Sequence, residues 1–338
     1  MSELSNVEVK STWVTRRCDI DAVEWRALAQ PRVGDLLLCE VTNIGLHGRV
    51  ETTTGARRKL YEGDRIVCAL ASRYATSLLE AVAEIEGDEI DMVTASGLCG
   101  RVVQRSKRAS APTRLRPLGQ AFINGAPLNL RMCALGAPQD DGAPLGPDLQ
   151  CVVVVGSAMD SGKTTACTSL INGLAAAARR VGAVKLTGSA SARDLGSFRD
   201  AGAMPFLDFL DFGWGSTAGC TDTELHAIVD GAAAHLRAAR VEWGVFEIAD
   251  GLLQAETRSL LGSLAALLPG DLRIVLTARE SLAAVAGVQL LQAMGLTVVA
   301  ISGLITNSPL ACREAELECG VACVPTSELG RRLAKDRL

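Results

Sequence analysis

Aromatic side chains make up only 4% of the 338 residues, with 4 Trp, 2 Tyr and 6 Phe. That is too few for the stacking platforms on which single-stranded nucleic acid is held. Histidine is scarcer still. His47, His226 and His235 lie far apart in sequence, so neither a histidine-rich metal centre nor a Ser-His-Asp arrangement is indicated. An excess of positive charge is also missing: Lys plus Arg number 34 against 38 Asp plus Glu, a net charge of −4. A general electrostatic grip on nucleic acid is therefore not expected. The opening stretch MSELSNVEVK lacks the apolar core of an export signal, and a cytoplasmic location is expected. The 11 cysteines include no Cys-x-x-Cys pair, even where Cys312, Cys319 and Cys323 crowd together. Most are expected to be small core residues in a reducing compartment. Residues 281–312 carry no charge, but Gly295 divides helix-like SLAAVAGVQLLQAM from β-rich TVVAISGLIT. A buried helix and a central strand are expected there, and no membrane span.

What is present is a globular composition, 48% hydrophobic with 33 Gly, long enough for about two domains. Residues 1–135 hold short β-rich runs at 35–42, 48–54, 64–72 and 100–106 between Gly and Asp, which predicts a small barrel or sandwich. The Gly-, Pro- and Asp-rich stretch 136–149 reads as a linker. From 150 to 338 Ala- and Leu-rich helical segments alternate with Val- and Ile-rich strands, the pattern of a mostly parallel sheet covered by helices. The expected fold is thus α/β, a carboxyl-terminal parallel-sheet domain preceded by a smaller, mainly β domain. Strands are predicted near 151–155, 182–187, 205–210, 243–249, 272–278, 297–305 and 321–325.

The most specific signal is CVVVVGSAMDSGKTTACTSLINGLAAAA at 151–178. A hydrophobic strand runs into the loop Gly156, Ser157, Ala158, Met159, Asp160, Ser161 and Gly162, and a helix follows from Lys163. A nucleoside triphosphate requires this order, because several backbone amides must converge on its phosphates at the positive end of a helix. Gly162 permits the close approach, Lys163 reaches the β- and γ-phosphates, Thr164 offers a hydroxyl to Mg²⁺, and Thr165 caps the α-phosphate side. In the general pattern G-x-x-x-x-G-K-[ST] the first glycine position is occupied by Ser157, with Gly156 one place earlier.

That Gly-x5-Gly-Lys-Thr spacing resembles the P-loop NTPases of the dethiobiotin synthetase and cobyrinic acid synthase-like group. It also resembles a bacterial family of uncharacterised proteins with a small N-terminal domain before such a P-loop domain. The resemblance covers roughly 150–325 and implies further site residues. Lys185, ending VGAVK, matches a lysine facing the transferred phosphate, although Leu186 replaces the proline that follows it there. Glu247 matches the acid of a Glu-Gly-Ala-Gly-Gly segment, with Ile248 and Ala249 in place of small residues. Asn307 matches an asparagine that hydrogen-bonds the nucleobase.

Simpler readings stand beside these. Lys185 would also suit a strand end, Glu247 and Asp250 a helix-capping pair, Asn307 a helix start and Asp160 a turn. Asp194 suits either a metal ligand or an N-cap. Lys163, Lys185 and Glu247 are the expected catalytic groups, and Thr164, Glu247, Asp250 and Asp194 the expected metal ligands, with ATP and Mg²⁺ as cofactors. Residues 101–116, with six cations and no acid, read as a solvated basic loop or a seat for a small anion rather than for nucleic acid. The leading reading is a Mg²⁺-dependent P-loop enzyme that transfers phosphate to, or activates, a small-molecule acid or hydroxyl. The alternative is a regulatory NTPase whose nucleotide state controls partner binding through the N-terminal domain, with the loop around 188–200 as its moving part. A nucleotide-binding module without turnover is a third. A homodimer and the choice of ATP over GTP are left open. Dethiobiotin synthesis itself is disfavoured by the departures at 157–161, 186 and 248–249, and an amidotransferase by the lack of room for a glutaminase domain.

Overall fold

The computed structural model describes residues 8–138, 149–268, 270 and 272–338. Most of the expected linker, 139–148, lies outside the described residues. The chain divides into two compact units. The first comprises Met1–Leu135 together with Ser189–Arg193 and Phe209–Gly219, and the second comprises Gly136–Gly188, Asp194–Asp208 and Cys220–Leu338. Two short segments from the carboxyl-terminal half thus pack as part of the first unit, an exchange with no compositional mark in the sequence.

The first unit is a barrel. Arg65–Leu70 pairs with Leu36–Asn43, which pairs with Thr113–Ile123, then Ile90–Met92 and Leu98–Arg105, and this last strand returns to Arg65–Leu70 in parallel. Closure removes the free edges that a small sheet would otherwise expose. The interior is filled by Leu37, Val41, Ile66, Leu70, Met92 and Leu115, with Cys39, Cys68 and Cys99 fully buried among them. Those three thiols are core residues, as the apolar runs around them predict. Cys18 and Cys133 differ: they form a disulfide across 115 residues of sequence, and nothing local announces such a pairing.

The basic stretch is corrected by the barrel. Most of 101–116 is not a loop but the end of the strand Leu98–Arg105 and the start of the strand Thr113–Ile123. Alternation turns Leu115 into the core and Arg114 and Arg116 outward. Neighbouring segments supply the acids that the run lacks: Arg101 pairs with Glu84, Arg114 with Glu89 and Asp91, and Arg116 with Glu40.

His47 gives this unit a pH dependence. Its Nε2 lies 3.1 Å from the Val93 carbonyl. Burial, with the nearby Arg73 charge, lowers its pKa from 6.5 to about 4. The unfolded chain then takes up a proton that the folded chain refuses, so stability is full above about pH 6.5 and falls as the pH drops toward 4. We expect wild type to lose roughly 2 kcal/mol more than His47→Gln between neutral and mildly acid pH. Urea unfolding of both proteins at several pH values measures it, and parallel curves would remove His47 from the account.

In the second unit, six parallel strands are numbered here in chain order: β1 (Gln150–Gly156), β2 (Val181–Lys185), β3 (Phe206–Asp208), β4 (Trp243–Glu247), β5 (Leu272–Thr277) and β6 (Val298–Ser302). Their order across the sheet is β3-β2-β4-β1-β5-β6. The four valines of β1 are fully buried, as a central strand covered on both faces requires. The covering helices are α1 (Lys163–Ala176), α2 (Ala192–Ala201), α3 (Asp222–Ala238), α4 (Ala255–Leu267), α5 (Ser281–Ala293), α6 (Pro309–Cys319) and the short α7 (Leu329–Leu333). Local chemistry sets their ends: Thr221 and Glu224 form a capping box on α3, and Ser308 caps α6 ahead of Pro309. The strand expected at 321–325 reduces to one bridge between Ile301 and Cys323. The fold is mixed α/β, a parallel helix-covered sheet with a β-rich unit, as the alternating pattern predicts. Among the described residues no helix is long and apolar enough to cross a membrane; the uncharged run 281–312 becomes α5, β6 and the start of α6.

Candidate phosphate-binding site

The site lies at the carboxyl ends of β1, β2 and β4, where open α/β sheets place ligands. β1 ends at Gly156. A Cβ there would overlap Ser161 Oγ and lie 2.9 Å from Lys163 Nζ, so the glycine that this turn needs is Gly156. Ser157 can therefore occupy the position at which the general pattern has its first glycine. Gly162, at φ 103°, turns the chain into α1. The loop is fastened from beneath. Ser161 Oγ lies 2.7 Å from Thr277 Oγ1, Thr277 Oγ1 donates to the Val155 carbonyl at 3.1 Å, and Ser157 N donates to the Thr277 carbonyl at 2.8 Å. The turn after β6 closes on it through Leu304 N donating to Ser161 O at 3.2 Å. Thr277 is a structural support of the loop that sequence reasoning missed; its only signal is a hydroxyl at the end of an apolar strand.

Lys163 is 7% exposed. Its ammonium donates to the carbonyls of Ala158 at 2.9 Å and Asp250 at 2.7 Å, which uses two of its three donors and arches the side chain over the loop. Thr164 Oγ1 donates to Glu247 Oε1 at 3.3 Å. Glu247 is 2% exposed, and its Oε2 is buried with no hydrogen-bond partner. Ser157 Oγ is likewise buried and unpartnered.

Register brings the charges level. Lys185 stands opposite Glu247 on β4 and Asp208 on β3, so three adjacent parallel strands each deliver one ionisable side chain at the same height. Lys185 ion-pairs with Asp194 in the first turn of α2. Burial pulls the Lys185 pKa down, but Asp194 and Glu247 outweigh it and hold the ammonium above the usual lysine range. Burial lowers Lys163 against the pull of Glu247 and Asp250. Burial also raises Glu247, while Lys185 draws it back. A buried carboxylate with a raised pKa and one bare oxygen is a group that a further cation would keep ionised.

The structure therefore brings together Lys163, Thr164, Lys185, Glu247 and Asp194, the last facing Lys185. Asp250, at φ 65°, joins through its main-chain carbonyl to Lys163. Asp160, also at positive φ, occupies the loop's turn. Thr165 is exposed on the first turn of α1, and Asn307 is exposed at the end of the short 3-10 helix Leu304–Asn307. Asp208 was not foreseen. The clue is the form shared by VGAVK, WGVFE and FLD, apolar strands that end on a charge.

No family model and no curated protein matches the chain. Among solved structures it is similar to the signal recognition particle 54 kDa protein of Aeropyrum pernix K1 in complex with GDP, at 17% identity, TM-score 0.41, covering 60% of this chain and 47% of that one. It is similar also to the signal recognition particle receptor FtsY of Elizabethkingia anophelis, at 15% identity and TM-score 0.34, covering 45% and 49%. A third is a DUF1611 family protein of Anabaena variabilis ATCC 29413, at 14% identity and TM-score 0.39, covering 56% and 57%. The chain spans about half the length of these structures.

Proposed function

We propose that the chain is a Mg²⁺-dependent, ATP-binding P-loop enzyme that transfers phosphate to, or activates, a small-molecule acid or hydroxyl. The observation that carries this reading is the bare, buried Glu247 Oε2 beside Thr164 Oγ1, with two buried ammonium groups at the same end of the sheet. A hydroxyl and a carboxylate are hard oxygen donors of the kind Mg²⁺ takes, one or two protein ligands being usual when phosphates supply others. The residues present fit the ion. Thr164 and Glu247 would hold Mg²⁺, which would supply positive charge against the charge that develops on the transferred phosphate. Lys163, held over the loop by two carbonyls, has a donor left to orient a terminal phosphate. Lys185, kept protonated by Asp194 and Glu247, offers a second fixed charge at the strand ends. Phosphoryl transfer asks a protein chiefly for such positioning and charge, and an attacking carboxylate needs no general base. The resemblance to the dethiobiotin synthetase-like group supports the same chemistry without naming the acceptor.

A regulatory NTPase is the second reading, favoured by one observation. Residues 189–193, the segment between Lys185 and Asp194, pack within the first unit, where Ala192 N donates to Glu51 Oε2 at 2.9 Å. Incubation with γ-labelled ATP and a metabolite extract separates the two. A labelled small molecule formed by wild type and not by Lys163→Ala supports the enzyme; slow phosphate release with no labelled acceptor supports the regulator.

Glu247 and Asp250 are expected to differ. Glu247→Gln should lower Mg²⁺-dependent turnover by about 10- to 100-fold. Asp250→Asn keeps the main-chain carbonyl and tolerates positive φ, so a change of roughly threefold or less is expected. Rates titrated against Mg²⁺ read both, and the reverse ranking would reassign the cation to Asp250.

A further inference from the structure

Of the nine cysteines outside the Cys18 to Cys133 disulfide, five are buried and four are partly exposed, and three of those four, Cys312, Cys319 and Cys323, stand together. A buried thiol is shut off from oxidants, whereas reachable thiols set side by side can react with one and then with each other. Local structure assembles them. Cys312, Glu316 and Cys319 sit at i, i+4 and i+7 of α6 and so share one helix face. Gly320, at φ 70°, ends the helix and turns the chain back. Cys323 N then donates to Glu316 Oε1 at 2.7 Å, and Cys323 Sγ lies 3.8 Å from the Cys312 carbonyl oxygen. The Cys312 and Cys323 thiols are thus brought within hydrogen-bonding reach of each other.

The pair also straddles the turn that closes on the phosphate loop. Cys312 Sγ donates to the Ile305 carbonyl at 3.6 Å. Cys323 is bridged to Ile301 on β6, where Val324 N donates to the Ile301 carbonyl at 2.8 Å. Between Ile301 and Ile305 stand Gly303 and Leu304. Leu304 N donates to Ser161 O, and a Cβ on Gly303 would overlap that same oxygen, so turn and loop touch along their main chains. We propose that Cys312 and Cys323 form a reversible disulfide when the protein meets a peroxide, and that this bond loosens the turn 303–307 from the phosphate loop. The first half stands on the thiol cluster alone; the second rests on the phosphate-loop reading above.

The Cys312 sulfur attacks one oxygen of the peroxide, the O–O bond breaks, and water leaves with Cys312 as a sulfenic acid. The Cys323 sulfur then attacks the Cys312 sulfur. The S–O bond breaks, and the departing hydroxide takes the Cys323 proton to become a second water. Two thiols have lost two electrons and the peroxide has gained them; a dithiol reductant reverses the bond by exchange. The order of attack follows from the surroundings. Burial and the Cys312 thiol push Cys323 up to about 12, so it keeps its proton and acts second. Once the bond forms, Cys312 has no proton for the Ile305 carbonyl, and its side chain is drawn from the turn toward Cys323.

Treatment of the reduced full chain with hydrogen peroxide, followed by tryptic digestion without reductant and mass spectrometry, tests the bond. Cleavage after Arg313 puts the two cysteines on separate peptides, so the disulfide appears as a linked pair that a dithiol reductant dissolves. Cys319→Ser should keep the link, and Cys323→Ser should lose it. Calorimetry with ATP and Mg²⁺ tests the coupling: oxidised wild type is expected to bind about fivefold more weakly than reduced wild type, with no such change in Cys323→Ser. Reductant should restore the affinity. Absence of the linked pair would overturn the proposal, as would a link kept in Cys323→Ser and lost in Cys319→Ser. A covalent dimer through Cys220 in place of the internal link would overturn it too. A disulfide formed at unchanged ATP affinity would overturn the coupling to the loop. Reduced wild type that binds no ATP would reject the phosphate-loop reading, while the peptide map still decides the disulfide.

Discussion

Replacing Lys163 by alanine is expected to reduce nucleotide turnover by two orders of magnitude or more, the scale associated with losing one positioned group at developing charge. Two effects add. The direct one is loss of the donor held over the loop by the carbonyls of Ala158 and Asp250. The indirect one passes through Glu247, whose carboxyl is drawn down by Lys185 and Lys163 against burial and Asp194. Removing Lys163 therefore raises the Glu247 pKa further and weakens its hold on a cation most at acid pH. Lys163→Arg should fare little better, because the ammonium lies close against Gly156, 2.9 Å from where a Cβ would stand, and a planar guanidinium is wider. Turnover measured across pH, with calorimetric binding of ATP and Mg²⁺, checks both effects. Equal binding and turnover in Lys163→Ala and wild type would withdraw the phosphate role of the loop.

How much of this site is legible in the sequence depends on whether a residue's partner is local. The strand, loop and helix of 151–178 are contiguous, so composition and spacing suffice to place Gly156, Gly162, Lys163 and Thr164. Lys185 and Glu247 are legible one at a time, as charges ending apolar strands, but their facing register is set by the strand order β3-β2-β4-β1. The same order makes Asp208 a neighbour of Lys185, and no sequence interval encodes that. Thr113–Ile123 hides for a different reason. Its arginines, Pro117 and Gly119 mask a strand whose buried residues, Thr113, Leu115, Gly119, Gln120, Ala121 and Phe122, do not alternate regularly, and its outward cations are answered by acids at 40, 89 and 91. Counted along the chain, 101–116 is a block of six cations; across the barrel Arg101, Arg114 and Arg116 are paired with acids. The Cys18 to Cys133 disulfide and the placement of 189–193 and 209–219 in the first unit are long-range facts of the same kind.

Substituting alanine for Gly330 is expected to undock the carboxyl-terminal helix and to remove roughly 3–5 kcal/mol of stability, the scale of exposing two buried leucines. The reason is backbone contact. α7 crosses α1 at Gly330 and Gly173, and a Cβ on Gly330 would overlap Ser169 O and lie 2.8 Å from Gly173 Cα. These are main-chain atoms of a long helix packed on the sheet, which cannot give way as a side-chain end can. The short helix must move instead, and Leu329 and Leu333, now 0% and 1% exposed, leave the core with it. Helix propensity alone would favour alanine over glycine by about 1 kcal/mol, so the sign of the change reports the crossing. Gly262, inside α4 and open to space around its Cα, supplies the opposite case: Gly262→Ala should stabilise by about 0.5–1 kcal/mol. Urea denaturation of the three proteins measures both changes. Gly330→Ala as stable as wild type would mean that the two helices do not meet at these glycines.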